Sequence, residues 1–222
     1  MRESDIYEKA LLYFDKCLNG KYLHTDKGAS FFVERNGDSA EIYFEASNGI
    51  PDWKHNFHFA SRSYNLTGED YRCHSGFLTV FLSALPFLEK TVRDGSIKEI
   101  TVVGYSHGAA LALLCHDYIA HKREDLADSL FGYGFGTPRV FKGGLSPEAR
   151  RRFDGFTYIS TRGDIVRHLP FRLFGYRHVK KQQRIGKRGK YSMIDAHRPE
   201  SYQNELKREI DRKARKEFVY DG

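Results

Sequence analysis

Cysteine is scarce in this chain, long apolar runs are missing, and no segment is of low complexity or repeats another. Of 222 residues only Cys17, Cys73 and Cys115 carry thiols. An odd count without metal-ligand spacing excludes a disulfide framework, and it predicts reduced, individually placed thiols with no metal site. No charge-free apolar run approaches the ~20 residues that a membrane span needs. The opening stretch, MRESDIYEKALLYF, lacks the basic-then-apolar order of a signal peptide, so a cytoplasmic protein is expected. One domain covering residues 1–222, with a basic C-terminal hairpin and helix from about residue 176, is the reading that length and the absence of repeats or linkers predict.

Negative charge is scarce at one end. Residues 162–222 hold 17 Lys and Arg against 8 Asp and Glu, whereas residues 1–161 hold 19 against 21. The whole basic excess therefore lies in the last quarter, densest in the run Lys180 to Lys190, KKQQRIGKRGK. Such a run can face anionic phospholipid headgroups, or it can be a solvated hairpin edge whose lysines discourage strand pairing. No aromatic residue interleaves with it, which counts against a nucleic-acid groove.

The chain alternates strand and helix signals. A helix is expected from an N-cap at Ser4 to about Leu18, stopped by Asn19-Gly20. Ser30 to Glu34 and Ala40 to Glu45 flank Asn36-Gly37 as a hairpin. A loop with Pro51 follows, then a short strand Asn56 to Ala60 and a long apolar helix Phe77 to Leu88, bent or interrupted at Pro86. Leu130 to Phe135 and Phe156 to Ser160 read as buried strands, and Gly175 to Gln183 as the last strand before a basic turn. From Pro199, apolar residues four apart predict an amphipathic helix. The order predicts an α/β fold, a mostly parallel sheet with helices on both faces.

The β-branched run Ile100 to Val103 feeds Gly104-Tyr105-Ser106-His107-Gly108, and Ala109 to Leu114 follow with strong helix formers. This is a strand, a sharp turn and a helix, with glycines two residues to either side of the serine where a Cβ would crowd the neighbours. The competing reading, a βα turn that binds phosphate, has neither the dinucleotide nor the P-loop glycine spacing. A serine hydroxyl is a poor nucleophile, so it needs a base and a group to orient that base. In this architecture the acid and then the base follow the serine in sequence. Asp164 comes directly after a predicted strand, at the carboxyl edge of the sheet, where a turn-capping role is its alternative. His197 lies in a loop before the last helix and is the preferred base. His178, inside the predicted last strand, is held in reserve, and His168 would have to share the loop of the acid. The backbone N–H of His107 and Ser47, which ends the strand Ile42-Tyr43-Phe44, are the expected oxyanion donors.

With these pieces placed, the chain resembles the class 3 lipases, the family of the fungal triacylglycerol lipases, from about Phe31 to Leu206. Gly104 to Ala112 resembles the elbow of that family, and Cys73-His74-Ser75-Gly76-Phe77 its His-x-Gly-Phe segment. Phe135-Gly136-Thr137-Pro138-Arg139-Val140 is similar to its Phe-Gly-x-Pro-Arg-Val turn, Asp164 to Pro170 to its acid-bearing stretch, and His197 with Tyr202 to the end that carries its base. Phe44-Glu45-Ala46-Ser47 stands where the family has Phe-Arg-Gly-Thr or Phe-Arg-Gly-Ser, and has Glu45-Ala46 in place of the Arg-Gly before its serine. The resemblance implies an α/β-hydrolase fold, a Ser106, Asp164, His197 triad, and a lid at Asn48 to Trp53 with Ile50 and Trp53 as apolar contacts. It implies a lipid or ester substrate and no cofactor. Phospholipase A1 activity on anionic phospholipids is the alternative that the basic tail favours. An inactive hydrolase fold that binds lipid or protein is the alternative outside enzymes.

Overall fold

The computed structural model describes residues 3–46, 59–69 and 71–220. The expected oxyanion serine Ser47, the expected lid with Ile50 and Trp53, and most of the expected strand Asn56 to Ala60 lie outside the described residues. A seven-stranded sheet organises the chain. Its strands are β1 (Leu23–His24), β2 (Ser30–Asn36), β3 (Ser39–Phe44), β6 (Glu99–Tyr105), β7 (Leu130–Phe135), β9 (Phe156–Thr161) and β11 (Gln183–Ile185), in that spatial order. β1, β2 and β3 pair antiparallel, the β2–β3 hairpin turning at Gly37 with φ 62°. From β3 onward every pair is parallel.

The register brings the carboxyl ends of these parallel strands to one edge. Phe44 lies opposite Gly104, Tyr105 opposite Phe135, Phe135 opposite Ile159, and Thr161 opposite Ile185. The segments that follow Tyr105, Phe135 and Thr161 therefore begin in one place.

Alternation sorts the strands' side chains into two cores. Ile42, Phe44, Ile100 and Val102 face α2 (Ser75–Val92) and α3 (His107–Lys122), whereas Tyr43, Val103, Tyr105 and Phe135 face α1 (Glu3–Asn19) and the C-terminal helix. Helices thus cover both faces, as expected of an α/β sheet. Helix α3 is buried on every side from Gly108 to Ile119, because it is clasped between the sheet and α2. Helix α2 runs straight through Pro86 and starts earlier than the apolar run. His74 caps it, Nδ1 accepting from the Phe77 N–H at 3.3 Å. A one-turn helix, α4 (Pro147–Arg151), begins on Ser146, whose Oγ accepts from the Ala149 N–H at 3.0 Å.

A second, four-stranded antiparallel sheet was not legible beforehand. It joins β10 (Tyr176–Arg177), β8 (Phe141–Lys142), β5 (Tyr71–His74) and β4 (Ser61–Tyr64). It corrects the reading of Gly175 to Gln183 as one strand and of a basic hairpin from about residue 176. Tyr176 and Arg177 pair with β8 in this sheet, while Gln183 to Ile185 join the edge of the main sheet beside β9. The basic run leaves one sheet and enters the other, so it cannot fold back as a hairpin.

The C-terminal helix, α5 (Pro199–Tyr220), packs by Tyr202 and Leu206, but Ala214 is exposed. Cys17, Cys73 and Cys115 are buried and form no disulfide, and burial pushes the thiols of Cys17 and Cys73 up to about 12. Among the described residues no helix is long and apolar enough to cross a membrane.

Candidate active site

Ser106 sits where β6 ends and α3 begins, with φ 58° and ψ −120°. Among the described residues it is the one non-glycine with a positive φ. Such a conformation costs about 1–3 kcal/mol and persists only where the surroundings impose it. Here they do. A Cβ on Gly104 would lie 2.3 Å from the Gly108 carbonyl oxygen, and one on Gly108 would lie 2.3 Å from the Phe44 carbonyl oxygen. The strand, the helix and β3 pass too close for any side chain at either glycine. The Ser106 N–H donates to the Phe135 carbonyl at 2.8 Å and ties the turn to β7.

The hydroxyl thus raised meets a histidine. His197 Nε2 lies 2.8 Å from Ser106 Oγ, and His197 Nδ1 lies 2.9 Å from Asp164 Oδ2. All three residues are buried. Asp164 follows β9, and His197 closes a single helical turn, Asp195–His197, immediately before α5. Asp164 accepts from the Val166 N–H at 2.8 Å through Oδ1, and its Oδ2 also accepts from the Tyr202 hydroxyl. Burial and the Asp164 carboxylate hold that phenol well above its usual range, so it stays a donor. With donors on every side of Asp164, Nδ1 of His197 carries the ring proton and Nε2 faces Ser106 as the acceptor.

The imidazole is fixed from behind as well. Tyr105 stacks on it with ring centroids 5.1 Å apart and donates its hydroxyl to the His197 carbonyl. Thr161 donates to the neighbouring Ala196 carbonyl. Gly136, at φ 60°, closes the fourth side: a Cβ there would stand 2.8 Å from His197 Cε1, 2.9 Å from the Tyr202 hydroxyl and 3.0 Å from Asp164 Oδ2.

The structure brings together Ser106, Asp164 and His197, and it places the reserve base elsewhere. His178 lies just past β10, its Nε2 2.8 Å from the Arg167 carbonyl and its Nδ1 3.3 Å from Gln182 Nε2. Loss of water and the nearby Arg139 and Arg167 hold it down at about 4, so it is a neutral group engaged in a separate network. The split of the predicted strand carried it there. His168 is exposed. His107 is the first residue of α3, where backbone N–H groups have no partner within the helix and the helix dipole favours a negative charge. Its imidazole turns away onto Phe77, with ring centroids 5.5 Å apart, and burial beside His74 lowers it to about 4.

A profile of the class 3 lipases matches residues 42–174, which takes in the end of β3, Ser106 and Asp164 and stops before His197. The chain belongs to the class 3 lipase family. It is 30% identical to a lipase of Rhizomucor miehei over 66% of this chain and 42% of that protein, so it spans under half the length of that curated relative. The crystal structure of the Rhizomucor miehei triacylglyceride lipase superposes with a TM-score of 0.65 at 25% identity, covering 83% of this chain and 81% of that one. Lipase II from Rhizopus niveus shares the fold at 18% identity, with a TM-score of 0.65 over 79% of this chain and 78% of that one. These likenesses establish the α/β-hydrolase sheet. Within this class 3 lipase fold, sequence reasoning missed Gly136 as the spacer beneath the acid and base. A glycine directly after a buried strand marks a turn but does not single out this role. It also missed Tyr202 as a donor to Asp164, because a tyrosine in an amphipathic stripe reads as core.

Proposed function

We propose that this chain is a serine carboxylic-ester hydrolase that cleaves acylglycerol-type lipids or smaller esters through an acyl-enzyme on Ser106. The chain of contacts from Ser106 Oγ through His197 to Asp164 carries the reading. As the Ser106 oxygen attacks the ester carbonyl, His197 Nε2 takes its proton and then delivers it to the leaving alcohol. Asp164 stabilises the imidazolium without itself taking the proton. Water then attacks the acyl-enzyme with His197 again as base. The developing oxyanion is held by the His107 N–H and by Ser47, each such donor being worth about 10² to 10³ in rate. Neither a metal nor an organic cofactor enters these steps.

Labelling by a fluorophosphonate, followed by an esterase panel of graded acyl length, tests the reading. Covalent labelling confined to Ser106 and turnover of at least one ester are expected. A folded protein that neither labels nor turns over would instead be a hydrolase fold that only binds lipid or protein. His197→Ala should abolish turnover while His178→Ala leaves it; the reverse would overturn the choice of base.

Phospholipase A1 action on anionic phospholipid is the second reading, supported by the basic excess of residues 162–222. It makes an anionic membrane surface a partner of this end of the chain. Anionic vesicles should then be cleaved faster than a neutral triglyceride emulsion at low salt, and the preference should fade as salt rises.

A further inference from the structure

We propose that the cleft between the turn after β11 and helix α5 is a binding site for a multiply phosphorylated small anion. The cleft encloses about 640 Å3, within the range of small-ligand sites. Six cations from four parts of the chain converge on it. Arg162 comes from the loop after β9, Arg184 from β11, Lys187 and Lys190 from the following turn, and Arg208 and Arg212 from α5. Lysines strung along a strand edge would be enough to discourage strand pairing. Cations facing one another across a concavity are a different arrangement, since their mutual repulsion is relieved by an anion between them.

The two carboxylates in the lining do not relieve it. Buried Glu205 already accepts from Lys190, from the Tyr191 hydroxyl at 2.9 Å and from Arg208 at 2.7 Å, all through Oε1. Glu209 takes Arg212 at 2.5 Å. Arg162, Arg184 and Lys187 form no ion pair among the described residues, and the lining keeps four positive charges in excess.

The cleft is also held in shape. Gly186, at φ 81°, presses so closely on the helix that a Cβ there would lie 2.7 Å from Glu205 Oε2. Glu205 thereby pins the basic turn to α5 while its ion pairs fix two of the cations. Arginine forks on such a frame match phosphate oxygens two at a time, and three unpaired cations call for more than one phosphate group.

The phosphate groups can belong to a soluble compound or to a membrane-lipid headgroup, and binding rather than turnover reads the site. The inference therefore stands or falls apart from the ester-hydrolase reading. Titration calorimetry of the full chain with inorganic tripolyphosphate at low salt should give saturable binding that weakens at high salt. The triple substitution Arg162→Gln, Arg184→Gln, Lys187→Gln, which removes the three unpaired cations, should raise Kd at least about tenfold, the loss of one charge-assisted hydrogen bond or more. The charge-matched control Lys181→Gln, Arg188→Gln, Lys207→Gln, exposed and outside the cleft, should leave Kd nearly unchanged. Should the triple variant not fold, Lys187→Gln and Arg184→Gln singly carry the same test.

Flotation with phosphatidylcholine vesicles, with and without a polyphosphoinositide, distinguishes the sources. Recruitment that tripolyphosphate competes away assigns the site to lipid headgroups, and tripolyphosphate binding without recruitment assigns it to soluble phosphates. No binding at low salt, or equal weakening by the cleft and control substitutions, overturns the proposal.

Discussion

Two buried aspartates in this fold have almost the same surroundings and opposite uses. Asp164 and Asp117 are both fully buried, and each accepts a hydrogen bond from a tyrosine, Tyr202 for Asp164 and Tyr71 for Asp117. Asp117 lies on α3 about 15 Å along the helix from Ser106. Its remaining oxygen meets the Arg152 guanidinium at 2.7 Å, which reaches on to Glu69 at 2.6 Å. Asp164 meets an imidazole instead. A guanidinium cannot give up its proton, so the Asp117 network holds a constant charge and serves as structure. An imidazole can gain and lose one, so the Asp164 pair changes charge during a reaction. Burial alone raises the pKa of Asp117, with Arg152 and Tyr71 pulling it back. The partner, not the burial, separates a site from a strut.

That contrast is open to direct test. Ser106→Ala should have the largest effect, lowering kcat by about 10⁶ with an unchanged thermal melt. Asp164→Asn should lower kcat by about 10⁴ through the wrong imidazole tautomer, again with little loss of stability. Arg152→Met should do the reverse. It strands the Asp117 charge and should cost about 3–5 kcal/mol in a denaturant titration, while kcat per folded molecule stays the same. The matched pair Tyr202→Phe and Tyr71→Phe sharpens the comparison. The first should slow kcat about tenfold and the second should only cost about 1 kcal/mol of stability. If Arg152→Met slowed turnover as much as Asp164→Asn, the division between site and strut would fail.

No effect on turnover at all is expected from the last change, which is in the pH dependence of stability and belongs to the Asp117 side. His116, whose Nε2 lies 3.0 Å from the Arg152 carbonyl, is held down at about 4 by burial. Its folded pKa lies below the ordinary 6.5, so between these values the unfolded chain takes up a proton that the folded chain refuses. Stability should therefore fall as pH drops from about 6.5 to 4, with ~1.4 kcal/mol per unit from this group. His116→Gln should flatten that slope without moving the pH profile of turnover.

The parts of this fold that were legible in sequence are those with long, uniform patterns. The run Ile100 to Val103, the glycines around Ser106 and the strands Leu130 to Phe135 and Phe156 to Ser160 each carry several residues that agree with one another. Strands β8 and β10 have two residues apiece, too few for any alternation to register. That is why the second sheet went unread and why His178 was placed inside a strand when it lies just past one. The order of Ser106, Asp164 and His197 was readable because the architecture constrains it. Tyr202, Gly136, and the Asp117–Arg152 pair were not, since each is defined by neighbours distant in sequence. The basic excess of the tail was plain by counting. Its folding into a cleft depended on Glu205 and Gly186, which no count distinguishes.

Gly136 has a consequence for how the site can vary. A Cβ at this position would come within 3.0 Å of atoms in the base, the acid and the tyrosine behind the acid. These three residues come from separate loops and a helix, yet they share a single reference point the size of a hydrogen atom. Inheritance can therefore alter the loops around this site one at a time, but a change at the end of β7 shifts all three at once. Any side chain at Gly136 therefore presses on the base, the acid and the tyrosine together, so one methyl group tests all three contacts in a single substitution.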